Sequence, residues 1–237
     1  MAKPPLARPT GNNLLDRLPA AELAPLLDDA TVVTFAAREE VDGLRWENQP
    51  VYFPLSGVYS LLLPMKSESP VEVGVVDSEG MLGIPTVLGM GENPVRAVAQ
   101  VPGSCARVPA DTFLKVLHGN HTVLDALVRR FLAVSWQTAN QTIACNLRHS
   151  VRERTARWLL SVHDRAAGDE FDVTQEILSG MIGASRQKVT VVAGELQAAG
   201  TIRYQRGRMQ VLDRPALEAA SCECYRVLRN AYEFLTA

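Results

Sequence analysis

The stretch Val173-Thr174-Gln175-Glu176-Ile177-Leu178-Ser179-Gly180-Met181-Ile182-Gly183-Ala184-Ser185-Arg186-Gln187-Lys188-Val189-Thr190-Val191-Val192-Ala193-Gly194-Glu195-Leu196 decides how the chain reads. Thr174 offers a hydroxyl to cap a first helix, whose apolar face is Ile177, Leu178, Met181 and Ile182. Gly183 follows the last apolar pair, where a chain leaving a helix takes a positive φ that glycine adopts at least cost. Ser185 then caps a second helix. Val189, Val192 and Leu196 recur in it at i, i+3 and i+7 and so face inward. Arg186, Gln187, Lys188 and Thr190 are left on the opposite face, near the helix N-terminus. Two capped helices around a glycine turn make a helix-turn-helix. The polar front end of the second helix is the part that enters a major groove and reaches base edges.

Downstream, Ala199-Gly200 ends the second helix, which spans 185–199. Thr201–Tyr204 and Met209–Leu212 alternate as a hairpin turning at Gln205-Arg206-Gly207-Arg208, which adds a wing. Arg203, Arg206 and Arg208 put positive charge around it, where phosphates would lie. A helical hairpin of an ordinary α domain would need neither the second cap nor the basic wing. The expected DNA-binding set is therefore Thr174, Ser185, Arg186, Gln187, Lys188, Thr190, Arg203, Arg206 and Arg208. Farther on, Cys222-x-Cys224 reads as part of a C-terminal helix after Pro215. Residues i and i+2 of a helix point about 200° apart, so these thiols are expected not to converge on one metal. They read as two unlinked thiols, with redox sensitivity as the alternative.

Upstream, Val151–Ala167 reads as a helix with Trp158, Leu159 and Val162 on one face, followed by a break at Gly168–Phe171. Before it, His121–Arg148 contains neither proline nor glycine. Leu124, Leu127, Phe131, Val134, Thr138, Gln141 and Cys145 alternate in steps of three and four, the spacing of a coiled-coil seam. Such a helix is about 42 Å long at the usual rise per residue, more than a small domain covers by itself. The spacing predicts pairing with a second copy through Leu124, Leu127, Phe131, Val134 and Thr138. Burial within the helix's own domain is the other reading.

From Ala30 to Pro109 the texture is different. Thr31–Phe35, Pro50–Phe53, Gly57–Leu63, Val71–Val76, Val95–Val101 and Ser104–Val108 are short β-rich runs between turn residues, which predicts an antiparallel sandwich or barrel. Pro19–Leu27 and Ala110–Leu117 read as flanking helices, and residues 1–13 as a loose arm. The chain is thus α+β, divided as 1–118, a connecting helix 119–148, and a DNA-binding segment 149–237.

Bulk properties fit this division. The 237 residues are 47% hydrophobic and 21% charged, with no apolar run of transmembrane length. Met1-Ala2-Lys3-Pro4-Pro5 is followed by no apolar signal core, which predicts a cytoplasmic protein and no membrane partner. Cys105, Cys145, Cys222 and Cys224 are too few and too scattered for a disulfide framework. From Arg148 onward 13 Lys+Arg face 11 Asp+Glu, a net of +2 within a total of −2, so the rest carries −4. No phosphate loop, nucleophile elbow or HExxH is present, so no enzyme is expected. His118 and His121 are separated by a helix break and lack further ligands, so no metal is expected either.

These features together resemble the Crp–Fnr superfamily of bacterial regulators. Asn13-Leu14-Leu15-Asp16-Arg17-Leu18-Pro19 resembles the family's opening. Val51-Tyr52-Phe53-Pro54-Leu55-Ser56-Gly57-Val58-Tyr59-Ser60 resembles its β-roll, and Glu79-Gly80-Met81-Leu82-Gly83 the start of its ligand-pocket helix. Gly183–Val189 matches its turn and recognition helix. The resemblance implies an N-terminal cyclic-nucleotide-binding-like antiparallel β-roll, a long dimerisation helix and a C-terminal winged helix-turn-helix. It implies a homodimer on double-stranded DNA, with RNA polymerase as a further partner. The family's base-contacting positions fall on Arg186, Gln187 and Val191. Arg186 suits guanine O6/N7. Gln187 stands where glutamate is usual and favours adenine, and Val191 stands where arginine is common and can only meet a thymine methyl.

The same resemblance makes Met81 and Arg96 the ligand-pocket candidates. In members that bind a cyclic nucleotide, a glutamate holds the ribose; Met81 occupies that position and cannot accept a hydroxyl hydrogen bond. Pro94-Val95-Arg96-Ala97 departs from the phosphate motif by one extra residue and a missing hydroxyl. No response to cyclic AMP is expected, no cofactor is expected, and any small-molecule effector is unknown. No cysteine precedes Cys105, which speaks against an N-terminal iron–sulfur cluster. The alternative is a regulator inactive on DNA until a small ligand binds.

Overall fold

The computed structural model of the chain describes residues 8–42, 44, 48–66, 70–166 and 168–236. Two compact units emerge: Met1–Pro64 with Val73–Ser135 and Leu235–Ala237, and Met65–Glu72 with Trp136–Phe234. Among the described residues no helix is long and apolar enough to cross a membrane.

The first unit is a β-roll with helices. Helices α1 (Asn13–Asp16) and α2 (Ala20–Asp29) precede strand β1 (Thr31–Phe35). Strands β2 (Val51–Pro54), β3 (Val58–Leu63) and β4 (Val71–Val76), helix α3 (Ile84–Leu88), strands β5 (Arg96–Val101) and β6 (Gly103–Val108) and helix α4 (Ala110–Leu117) follow. The strands form two three-stranded sheets, ordered β1-β6-β2 and β4-β3-β5, with antiparallel pairing wherever a register is defined. Phe35, Tyr52 and Tyr59 meet edge to face inside the roll, with centroids 6.3 and 5.9 Å apart for Phe35 against each tyrosine. The part of the expected loose arm before Arg8 lies outside the described residues. From Thr10 onward the arm is not loose. Asn12 is fully buried, caps α1 by accepting from the Leu14 and Leu15 amides, and donates from Nδ2 to the carbonyls of Pro54 and Gly80 at 2.9 and 3.0 Å.

Helix α5 (Val123–Arg148) is one unbroken element of 26 residues. Its first half belongs to the first unit and its second half to the other. Glu22 of α2 accepts from the Val123 and Leu124 amides, both at 2.9 Å, and so places a carboxylate on the free donors of the α5 N-terminus. Along this half the residues expected as a seam are buried within the chain itself. Leu124, Leu127, Phe131 and Val134 are at most 5% exposed in the single chain. They are core residues, with no area left to bury against a second copy. Phe131 sits so close to Gly80 that a Cβ there would lie 2.5 Å from the ring, which is why the position must be glycine. The face α5 does leave open is different. Trp136, Ile143 and Leu147 are 73%, 60% and 77% exposed, and with Ala133 and Asn140 they repeat in steps of three and four. Thr138, the last expected seam residue, is half-buried.

The second unit continues with α6 (Val151–His163), β7 (Glu170–Asp172), α7 (Gln175–Ile182), α8 (Arg186–Ala198), β8 (Ile202–Gln205), β9 (Arg208–Val211), α9 (Arg214–Ala220) and α10 (Cys224–Thr236). Its core joins Leu159, Leu160, Phe171, Leu178, Ile182, Val189, Leu196, Ile202, Met209 and Leu217. The stretch expected as a break before the motif holds a strand, β7, which pairs with β9 and makes the sheet three-stranded in the order β7-β9-β8. The helix expected to reach Ala167 stops at His163.

Candidate nucleic-acid interface

The interface is assembled by caps. Thr174 Oγ1 accepts from the Ile177 amide at 3.2 Å and starts α7. Gly183, at φ 63°, ends α7 in the left-handed region, where a side chain would be strained. Ser185 Oγ accepts from the Lys188 amide at 3.4 Å and starts α8. Arg154, a buried residue of α6, donates from Nη1 to the Ile182 carbonyl at 2.9 Å and to Asn146 Oδ1 at 3.3 Å. It thereby satisfies the open C-terminal end of α7 and holds the turn against α6. Nothing local in the sequence marks Arg154 for this task, because its partners are distant along the chain.

Helix α8 is divided lengthwise. Val189, Val192, Ala193 and Leu196 are buried. Arg186, Gln187, Lys188, Thr190 and Val191 are exposed, with Val191 at 60%. Lys188 has no ion-pair partner among the described residues. Arg186 is held differently: its Nη2 lies 2.5 Å from Glu176 Oε1 on α7, and both side chains are exposed. Thr190 donates its hydroxyl to the Arg186 carbonyl at 2.8 Å, which leaves only its acceptor lone pairs for a ligand.

The wing turns at Arg206 and Gly207, with φ 53° and 81°, a two-residue hairpin connection with both residues left-handed. Arg206 projects from this tip with no ion-pair partner among the described residues. Arg208 Nε lies 3.6 Å from Asp172 Oδ1, its cross-strand neighbour on β7. Arg203 donates to Gln210 Oε1 at 3.0 Å, also across the sheet. The wing is tied to α8 and to the segment entering α7, because the Tyr204 amide donates to Gln197 Oε1 at 2.8 Å and Tyr204 Oη donates to the Val173 carbonyl at 3.0 Å. The expected cations therefore lie on one exposed system of α8 and wing. Three of them are engaged by Glu176, Asp172 and Gln210, partners the sequence did not single out.

In the roll, Met81 is 1% exposed. Arg96, at the start of β5, is exposed and has Glu40 Oε2 3.7 Å from its Nη1. The C-terminal cysteines depart from expectation. Cys222 lies in the joint between α9 and α10, and Cys224 is the first residue of α10, so the rule for two positions on one helix does not apply. Their thiols meet Cys145 and His149 from the end of α5.

Three comparisons bear on this arrangement. Residues 153–220 match the family profile described as the Crp-like helix-turn-helix domain. No curated protein sequence matches the chain. Among solved structures, a chain from Eubacterium rectale assigned to the Crp/Fnr family superposes with a TM-score of 0.68 at 16% identity, over 87% of this chain and 96% of that one. A Crp/Fnr-family transcriptional regulator from Thermus thermophilus gives 0.66 at 21% identity, over 81% and 98%. FixK2 from Bradyrhizobium japonicum gives 0.68 at 16% identity, over 81% and 98%. At these identities the likeness is one of fold.

Proposed function

We propose that this chain, whose residues 153–220 are a Crp-like helix-turn-helix domain and whose fold is that of solved Crp/Fnr-family chains, is a cytoplasmic, homodimeric transcription regulator that reads a pseudo-palindromic site in double-stranded DNA. The observation that carries the reading is the split of α8, apolar and buried on one side, polar and open on the other from its first residue. Arg186 reads guanine, Gln187 reads adenine, and Val191 meets a thymine methyl. Thr174, Ser185, Lys188, Thr190, Arg203, Arg206 and Arg208 hold the phosphates on either side and set the register. The open stripe Ala133, Trp136, Asn140, Ile143 and Leu147 on α5 supports dimerisation, in place of Leu124–Val134. Two recognition helices about 34 Å apart then address successive major grooves. RNA polymerase is the machinery whose access or recruitment such a dimer would govern.

Cyclic AMP is not the signal in this reading. Methionine fills the position of the ribose-binding carboxylate and is buried, and Arg96 is followed by Ala97 and shares its charge with Glu40. Selection of bound duplexes from a random pool, at fixed salt and with or without cyclic AMP, tests the whole reading. A two-fold symmetric motif enriched equally in both arms is expected. A motif without symmetry would sink the dimer, and one that emerges only with cyclic AMP would sink the assignment of the roll.

A further inference from the structure

Cys145 and His149 are one helical turn apart at the end of α5, and Cys222 and Cys224 flank Glu223 at the α9–α10 joint. The four side chains converge: three sulfurs and one imidazole nitrogen all lie within 4.8 Å of one another. Cys145 Sγ is 3.6 Å from Cys222 Sγ, and Cys224 Sγ is 3.6 Å from His149 Nδ1. A tetrahedron built with ordinary zinc–sulfur and zinc–nitrogen bonds has sulfur–sulfur edges of about 3.8 Å and sulfur–nitrogen edges of about 3.5 Å. A disulfide would need the two sulfurs at about 2.05 Å. All three cysteines are at most 5% exposed.

Thiols buried merely as small apolar side chains have no reason to be surrounded by metal-site partners, and these are. His149 turns Nδ1 to the sulfurs while its Nε2 lies 3.2 Å from Glu223 Oε2, the carboxylate–histidine arrangement that orients an imidazole toward a metal. Gln141 Nε2 donates to Cys224 Sγ at 3.0 Å, a bond that a thiolate accepts better than a thiol. Three thiolates around a divalent cation leave one negative charge. The guanidinium of Arg157 on α6 is buried, and its Nε has no hydrogen-bond partner among the described residues.

We propose that Cys145, His149, Cys222 and Cys224 are the four ligands of a tetrahedral site for a borderline-soft divalent cation of the zinc type, with Glu223 and Gln141 orienting them. The ion ties the last turn of α5 to the α9–α10 joint across the Asn146–Ser150 turn. Its occupancy therefore fixes the direction in which α6 and the DNA-reading helices leave α5.

The test is cobalt(II) titration of the reduced full-length chain under inert gas, with elemental analysis of protein grown in zinc-replete medium. One zinc per chain is expected. Cobalt should give the intense visible bands of a tetrahedral thiolate complex, saturating at one equivalent per chain. Cys222→Ser should weaken and shift the bands and lower the affinity, and His149→Cys should retain them. Glu223→Gln changes only an exposed side chain and leaves folding intact; it should weaken binding by roughly 10–100-fold. A reduced, folded chain that gives no thiolate–cobalt bands overturns the proposal. So do bands unchanged in Cys222→Ser, or a Cys145–Cys222 disulfide as the form recovered from zinc-replete cells.

Discussion

The Arg186 guanidinium is already paired, with Glu176 across the turn. In the proposed reading that ion pair is exchanged for the O6/N7 edge of guanine. The exchange is cheap, because an exposed pair of this kind is worth only about 0–1 kcal/mol. It nevertheless restrains the side chain, so less rotamer entropy remains to be lost on binding. Two substitutions separate these effects. Arg186→Ala should lower affinity for the selected duplex by about 1–3 kcal/mol and relax preference at one base pair. Glu176→Gln should leave stability within about 0.5 kcal/mol of the parent, as surface changes do, and tighten binding to any duplex by removing a negative charge from the interface. Anisotropy titrations on matched and scrambled duplexes distinguish the two. Unchanged base preference in Arg186→Ala would remove guanine reading from that residue. Arg186 was legible from its position beside a cap and opposite an apolar face. Glu176 was not, since spacing marks which residues are exposed and not which of them meet across a turn.

At the scale of elements, the caps were the most legible feature because they are local. Thr174, Gly183 and Ser185 each act on amides or dihedrals within three residues, and each does so here. Helix α6 shows the same economy. Ser150 accepts from the Glu153 amide while Glu153 accepts from the Ser150 amide, a reciprocal capping box at the exit from α5. Hydrogen bonds from the Ser150 side chain and backbone hold the Glu153 carboxyl below its ordinary value of 4.5. The lowered value belongs to the folded state, so the contribution is present above the ordinary glutamate range and is lost as pH falls through the folded value. Ser150→Ala should cost about 1 kcal/mol at neutral pH. The gap between parent and variant in denaturant melts should narrow on acidification through that window. A constant gap would mean the carboxylate takes no part in the cap. The α9–α10 joint was missed for the opposite reason. Reading Cys222-x-Cys224 as one helix hid a break after Ala220, and convergence on Cys145 and His149 is a tertiary fact. The available clue was the i, i+4 spacing of Cys145 and His149, which puts two ligands on one helix face.

At the scale of the molecule, periodicity left the covering of α5 open. A step of three and four says that a stripe is apolar; it does not say what covers it. Leu124, Leu127, Phe131 and Val134 are buried within their own chain, and the stripe through Trp136, Ile143 and Leu147 is exposed; the proposed dimer pairs through that second stripe. Trp136→Glu should therefore run as a monomer at micromolar concentration in sedimentation, and should lose the palindromic duplex while keeping weak, half-site binding. Phe131→Ala should instead cost about 3–5 kcal/mol of stability and leave the oligomeric state unchanged. If Phe131→Ala dissociates a folded dimer, the assignment of the two stripes is reversed.

The lengthwise split of α8 has a consequence for how such a chain diversifies. Val189, Val192, Ala193 and Leu196 answer to the core, while Arg186, Gln187 and Val191 are exposed, and among the described residues Arg186 has one surface ion pair, to Glu176. If these positions fix what the helix recognises, as proposed, they can change without threatening the fold that presents them. A lineage built on this helix would then alter its target sites by three substitutions and keep the same scaffold.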